Sequence, residues 1–452
     1  MRDGRDDSRS AAHQSVVSLL PSRRTPRAVS TCVSSPRPAT GSAKVLFLSA
    51  LQIFPTRSGG QLRSFALANA LQHHGIDVFV YSMVGRKSEY LSAEPSSIQT
   101  WPEGTEEYVD RRLLWFLAQY GSYGLGLPPL WIPAYLRAAA ATPRELLLPA
   151  LLREKLAWCD VVLADFPFLH PIFEAPSARG RLRVLSTHNV EHHMLNDRSR
   201  WQDRWARGAV RRMELGAAQA CDVLVTCCQS DQEFFERHAQ IRQSILVPNG
   251  IDVRRFRGME GHRDATRRAL GIADNVRVLL FTASKWGPNR EAFDDLLAFA
   301  RSNPKLLAEQ GTHILVVGSV VAEPVRLPGL TATGRVEVVE PYFAAADMAL
   351  NPTYSGAGTS VKMCEFIASR LPIATTAFGS RGFRIEDGRT GFLFERGGLG
   401  PLLSRVRRIF EEAPGRLRQM AEDAYAENEG AIDMDACARP LVDALDAALA
   451  SR

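Results

Sequence analysis

Lys362 and Glu365 stand three residues apart behind a loop that carries Gly356 and Gly358, and their types suit the handling of a phosphorylated ligand. The surrounding stretch, NPTYSGAGTSVKMCEFIASRLPIATT over residues 351–376, predicts a strand ending at Asn351 and Pro352 and a glycine-bearing loop over 355–359. A helix over 360–370 and a second strand over 373–376 follow. Glycine at 356 and 358 permits turns that other residues resist and lets a ligand come close to the backbone. Ser360 is placed to cap the helix, whose first amides then point back into the loop. Free amides at a helix start favour anions, and a diphosphate fits such a cradle. Lys362, Glu365 and Ser369 share one helix face, while Val361, Cys364, Ala368 and Leu371 share another. One face can look into a cleft as the other packs on a sheet. The same spacing also fits a solvated Lys–Glu pair worth about 0.2–0.5 kcal/mol, and glycine loops before helices are common.

His188, His192 and His193 invite comparison with a zinc site. The HxxxH pair straddles a predicted strand-to-helix boundary and lacks a further ligand, so no metal site is expected. The Asp-x-Asp pair Asp433 and Asp435 falls in the C-terminal region, away from a strand end. The seven cysteines, at 32, 159, 221, 227, 228, 364 and 437, form no CxxC. They read as reduced, mostly buried thiols of a cytosolic protein, with Cys227 and Cys228 packing at a strand end.

The elements that must position these residues follow an alternating pattern. VLFLSA is a continuous apolar run, as in a parallel strand covered on both faces. Gly59 and Gly60 then open a helix, and IDVFVYS completes a βαβ unit that lacks GxGxxG. Further strands are predicted over 160–166, 183–188, 222–228 and 244–252, with helices over 144–157, up to about Ala220, and one capped by Ser230. After Arg254 the pattern restarts. Strands are predicted over 276–284, THILVVGS, RVEVVE and ADMALNP, with a helix from near Asn289, a hairpin around DGRTGFLFE and helices over 399–450. The fold class is α/β, with two doubly wound Rossmann-like domains facing a central cleft. The expected divisions are a disordered Arg/Ser-rich tail over 1–42, domains over 43–253 and 254–430, and a C-terminal helix over 431–452.

With 452 residues, 45% of them hydrophobic and 23% charged, the chain can bury two cores. No apolar run reaches the ~18 residues of a membrane-spanning helix. The net charge of +6 suits phosphate-bearing ligands, an anionic membrane surface or nucleic acid. Nucleic acid is not expected, because the arginines cluster in the tail and one helix without a stacking sheet or recognition helix. Arg200, Arg204, Arg207 and Arg211 form a helical stripe with Trp201 and Trp205 beside it. Together with the aromatic-rich segment 101–140, it can rest on anionic headgroups. A buried helical insertion with a solvated arginine face accounts for it equally well.

Taken in order, IFPTRSGGQLRSFALANALQHHGIDVFVYS, STHNVEH, CDVLVTCCQSDQEFF, VPNGIDVRRF, the 351–376 stretch and DGRTGFLF resemble the family 4 retaining glycosyltransferases of the GT-B fold. The resemblance runs from about Lys44 to Glu427. It implies metal-independent transfer of a sugar from a nucleotide-diphosphate sugar to a glycan or lipid-linked acceptor, in cell-envelope or polysaccharide biosynthesis. No cofactor is implied beyond that donor, and the implied location is cytoplasmic, including the inner face of the plasma membrane. The N-terminal domain would be the acceptor side and the C-terminal domain would bind the nucleotide sugar. By the same resemblance, Gly59 and Gly60 lie against the donor phosphates and reacting centre, and His188 faces the transferred sugar, unless it merely closes a strand end. Lys362 faces the diphosphate, the amides of Gly358, Thr359, Ser360 and Val361 cradle it, and Glu365 bonds the ribose hydroxyls. There are departures from the pattern. Ala357 stands where the first glutamate of the family's Glu-x7-Glu would fall. SKWGPNRE offers Lys285 and Arg290 in place of the usual Arg and Lys, with Lys285 the choice for a second phosphate contact. Ala357 leaves open a non-catalytic sugar-nucleotide-binding or scaffold protein on the same fold.

Overall fold

The computed structural model describes residues 42–56, 58–83, 96–111, 131–142, 145–195, 201–356 and 359–452. Strands without a polar face dictate the architecture, since they must lie in sheets covered on both sides. The first, β1 (Lys44–Ser49), is buried from Val45 onward. It belongs to a sheet with β2 (Asp77–Met83), β3 (Ser97–Thr100), β4 (Glu106–Asp110), β5 (Val161–Ala164), β6 (Leu182–Ser186), β7 (Val223–Thr226) and β8 (Ser244–Leu246). The order is β3-β4-β2-β1-β5-β6-β7-β8, with only β3 and β4 antiparallel. Leu46 lies opposite both Phe79 and Val162.

A second sheet contains β9 (Arg277–Thr282), β10 (Thr312–Val317), β11 (Val325–Leu327), β12 (Leu330–Ala332), β13 (Met348–Asn351), β14 (Ile373–Thr375) and β15 (Phe392–Leu393). Its order is β11-β12-β10-β9-β13-β14-β15, with β11 and β12 antiparallel. Strand order reverses at β1 in one sheet and at β9 in the other. Crevices therefore open beyond the carboxyl ends of the strands flanking β1 and β9.

The helices used below are α1 (Gly59–His73), α2 (Trp201–Ala220), α3 (Gln229–His238), α4 (Gly287–Ser302), α5 (Val361–Ala368), α6 (Pro414–Ile432) and α7 (Met434–Ala450). α1 follows β1 and α5 follows β13, so both start at a reversal point. α7 returns to the N-terminal lobe, where Cys437, Leu441 and Leu445 share a core with Val45, Leu67 and Leu71. The chain therefore crosses between lobes twice, and the crossings are bonded together. The Ile251 amide donates to Ile432 O (2.8 Å), and the Met434 amide to Ile251 O (3.1 Å).

Several local expectations are corrected. RVEVVE is not a strand but a loop leading into a helix over Glu340–Ala345. The β11–β12 hairpin, turning at Gly329 with φ +77°, has already taken that sheet edge. The DGRTGFLFE segment is not a hairpin, because β15 pairs parallel with β14 after a turn at Gly388. The N-cap position of helix α3 is Cys228, without a side-chain capping bond, rather than Ser230, and the helix expected from 144 begins at Ala150. Trp101, for which a lipid-facing and a buried position were both offered above, is 2% exposed and packs against Phe65 with ring centroids 4.8 Å apart. Trp205 is 53% exposed. The tail over 1–41, residues 112–130, Arg200, Ala357 and Gly358 lie outside the described residues. Among the described residues, no helix is long and apolar enough to cross a membrane.

Candidate functional site in the interlobe cleft

On the C-terminal wall, Gly356 adopts φ +134°, and a Cβ there would stand 2.6 Å from the Trp286 ring. Only glycine fits both constraints. Ser360 occupies the N-cap position of α5 in an extended conformation, as expected, but its side chain makes no capping bond. Among the described residues, the amides of Ser360, Val361 and Lys362 donate to no protein group. The cradle is thus open.

Lys362 does not pair with Glu365. Its Nζ donates to Asn289 Oδ1 on α4 (2.6 Å) and lies 4.4 Å above the Phe281 ring. Burial, only partly offset by the Glu365 charge, pulls the ammonium down to about 7. Glu365 approaches Arg255 Nη1 at 3.9 Å. Burial pushes its carboxyl up to about 7 against the pull of Arg255. Lys285 is exposed on the loop after β9, where its amide donates to Ser319 Oγ (3.2 Å).

On the N-terminal wall, Gly59 and Gly60 form the first turn of α1. A Cβ on Gly59 would lie 3.6 Å from Val361 Cγ2 across the cleft, and one on Gly60 would lie 3.4 Å from His188 Nδ1. The two helix starts therefore face one another, with His188 beside them. His188 stacks on Phe166 at 4.4 Å, and its Nε2 meets Asp165 Oδ1 at 2.9 Å. Asp165 is fully buried and also accepts from Ser64 Oγ (2.5 Å). The His188 charge and hydrogen bond hold its carboxyl below the ordinary value despite the burial penalty. An ionised Asp165 makes Nε2 the protonated nitrogen and turns Nδ1 towards Gly60.

The other histidines go elsewhere: His192 pairs with Glu214, and His193 meets Phe234 edge-to-face. Cys227, Cys228 and Asp231 do converge, with donor atoms within 4.8 Å of one another. A hydrogen bond from Cys227 holds the Cys228 thiol down to about 5. Arg381 already supplies positive charge there.

Sequence reasoning missed Asp165, Arg255, Asn289 and Asn249. Each is distant in sequence from the residue it contacts. Asn249 and Arg255 fall within VPNGIDVRRF and Asn289 within SKWGPNRE, but no local spacing pointed to their contacts.

Residues 57–255 match the model described as Glycosyltransferase Family 4, and residues 276–412 match Glycosyl transferases group 1. One match falls on each lobe. The chain belongs to this glycosyltransferase family. A D-inositol 3-phosphate glycosyltransferase of Geodermatophilus obscurus is 26% identical to this chain over 230 residues, 46% of this chain and 48% of that protein. Its namesake in Streptomyces avermitilis is 27% identical over 256 residues, 52% and 54% of the two chains. The chain thus spans about half the length of the curated relatives it matches. The sucrose-phosphate synthase of Thermosynechococcus elongatus superposes with a TM-score of 0.62 at 15% identity, covering 90% of this chain and 100% of that one. Anabaena HepE, solved with UDP and glucose, gives 0.59 at 15% identity with the same coverage. These likenesses identify the GT-B fold.

In this chain, Gly59, Gly60 and His188 come together on one wall, opposite Thr359, Ser360, Val361, Lys362 and Glu365. Lys285 is exposed on the loop after β9, and Gly358 falls outside the described residues.

Proposed function

We propose that this glycosyltransferase moves a sugar from a nucleotide-diphosphate sugar to a glycan or lipid-linked acceptor, with retention at the anomeric carbon and without a metal ion. The observation that carries the reading is the open amide start of α5, with Lys362 in its first turn, set against Gly59 and Gly60 across the cleft. Cleaving the sugar–diphosphate bond builds positive charge on the sugar and negative charge on the leaving phosphate. Fixed amides and the Lys362 cation stabilise that negative charge most as it develops, which accelerates the reaction rather than only tightening binding. Glu365 is placed one helical turn further on, where ribose hydroxyls could replace part of its contact with Arg255. The names of the relatives, which include a D-inositol 3-phosphate glycosyltransferase and a protein solved with UDP and glucose, support a nucleotide-sugar donor.

The test begins with thermal shifts in UDP-, GDP- and ADP-sugars, because a ligand that prefers the folded chain raises its melting temperature. Lys362→Ala and Glu365→Ala, folded as the parent, are expected to lower turnover by about 10²–10³-fold. Parental rates in both would remove the assignment. Ala357 favours a second reading, a non-catalytic sugar-nucleotide-binding protein. Donor hydrolysis in the presence of candidate acceptors separates the two, since a binding protein gives none.

A further inference from the structure

The VPNGID motif places Asn249 between the lobes, 6% exposed, where it bonds to both walls of the cleft. Its Oδ1 accepts from Arg63 Nη1 of α1 (2.9 Å). Its Nδ2 donates to Thr359 O (3.0 Å) and to Thr359 Oγ1 (2.9 Å). Its own carbonyl accepts from Cys364 Sγ of α5 (2.9 Å). A guanidinium can only donate, so the carboxamide has one permitted orientation: oxygen to Arg63 and nitrogen to Thr359. Arg63 is 2% exposed, and besides Asn249 its Nη1 reaches only Pro248 O (3.2 Å). Among the described residues, its Nε and Nη2 have no hydrogen-bond partner. A buried guanidinium kept at this cost is explained by what it orients.

We infer that Asn249 is a positioning residue that sets the polarity of the anion cradle by fixing the 359–360 peptide. In a trans peptide, C=O and N–H point in opposite directions. Holding Thr359 O against Asn249 therefore turns the Ser360 amide away from the linker, in line with the free amides of Val361 and Lys362. A flipped peptide would present a carbonyl oxygen and repel the same anion. Because Thr359 Oγ1 accepts from Asn249, its own proton is free to donate to the ligand. The inference rests on reading this loop as a diphosphate cradle. It assigns to the linker a control over phosphate binding that base and ribose contacts do not share.

The experiment compares Asn249→Leu, a substitution of similar volume and unchanged charge, with the parent. The probes are whichever of UDP, GDP or ADP raises the parent's melting temperature, and the corresponding nucleoside. The diphosphate is expected to bind about tenfold more weakly, the size of one lost charge-assisted hydrogen bond, with nucleoside affinity unchanged. Equal losses for both, or no loss for the diphosphate, would overturn the inference. Should Asn249→Leu not fold, the double variant Arg63→Met/Asn249→Leu carries the same expectation relative to Arg63→Met, which controls for the lost charge. If no nucleoside diphosphate stabilises the parent, the cradle reading itself fails, a result distinct from failure of the Asn249 assignment.

Discussion

Lys362 has two states within reach of ordinary pH. Burial brings its ammonium to about 7, so at pH 8 the ligand-free side chain is largely neutral. A bound diphosphate favours the charged form and raises that pKa. Binding at pH 8 should therefore take up a proton, and the calorimetric enthalpy should depend on the ionisation enthalpy of the buffer. Glu365, at about 7, is already ionised there and contributes little. Lys362→Met should lose the buffer dependence, and a parent without it would contradict this account of the site. Lys362 and Glu365 were legible in the sequence because three-residue spacing behind a glycine loop is a local pattern. Their partners Asn289 and Arg255 were not, since those contacts exist only after the second sheet and the interlobe linker are in place.

Among the elements, the long strands were readable, because runs such as VLFLSA have no polar face to leave in water. The three-residue strands β11 and β12 and the two-residue β15 were not. Their pairing depends on which edge of the sheet is free, and no periodicity over so few residues reveals that. RVEVVE shows the converse, an alternating run left without an edge to join. The glycines at the element starts also differ in kind. A Cβ on Gly250 would lie 2.8 Å from the Met434 backbone at the start of α7, whereas one on Gly59 meets Val361 at an ordinary 3.6 Å. Gly250→Ala must displace backbone and should cost about 1–3 kcal/mol by denaturant unfolding. Gly59→Ala should cost less than about 0.5 kcal/mol. Equal costs would mean that the linker can move away from α7 freely.

Across the whole molecule, α7 is pinned to the N-terminal lobe by charge as well as by packing. His73, at the end of α1, meets Asp435 of α7 through Nδ1 (2.8 Å) and Glu103 through Nε2 (3.0 Å). Hydrogen bonds to Asp435 and Glu103 raise its pKa from 6.5 to about 10. A raised folded-state value means that this stabilisation is fully present below about pH 6.5 and is lost as the pH climbs through 10. The melting-temperature gap between the parent and His73→Gln should therefore be widest near pH 6 and close by about pH 10. A gap that does not vary with pH would refute the clasp. The return of α7 was not legible beyond its helical pattern, because the apolar face of a terminal helix does not say which lobe it covers. Its return also limits how the cleft can work. With both covalent connections between the lobes bonded together at Ile251, Ile432 and Met434, an even separation of the halves would have to break those two hydrogen bonds. A rotation about that seam would leave them intact, and Asn249, two residues before Ile251, bonds Thr359 close to it.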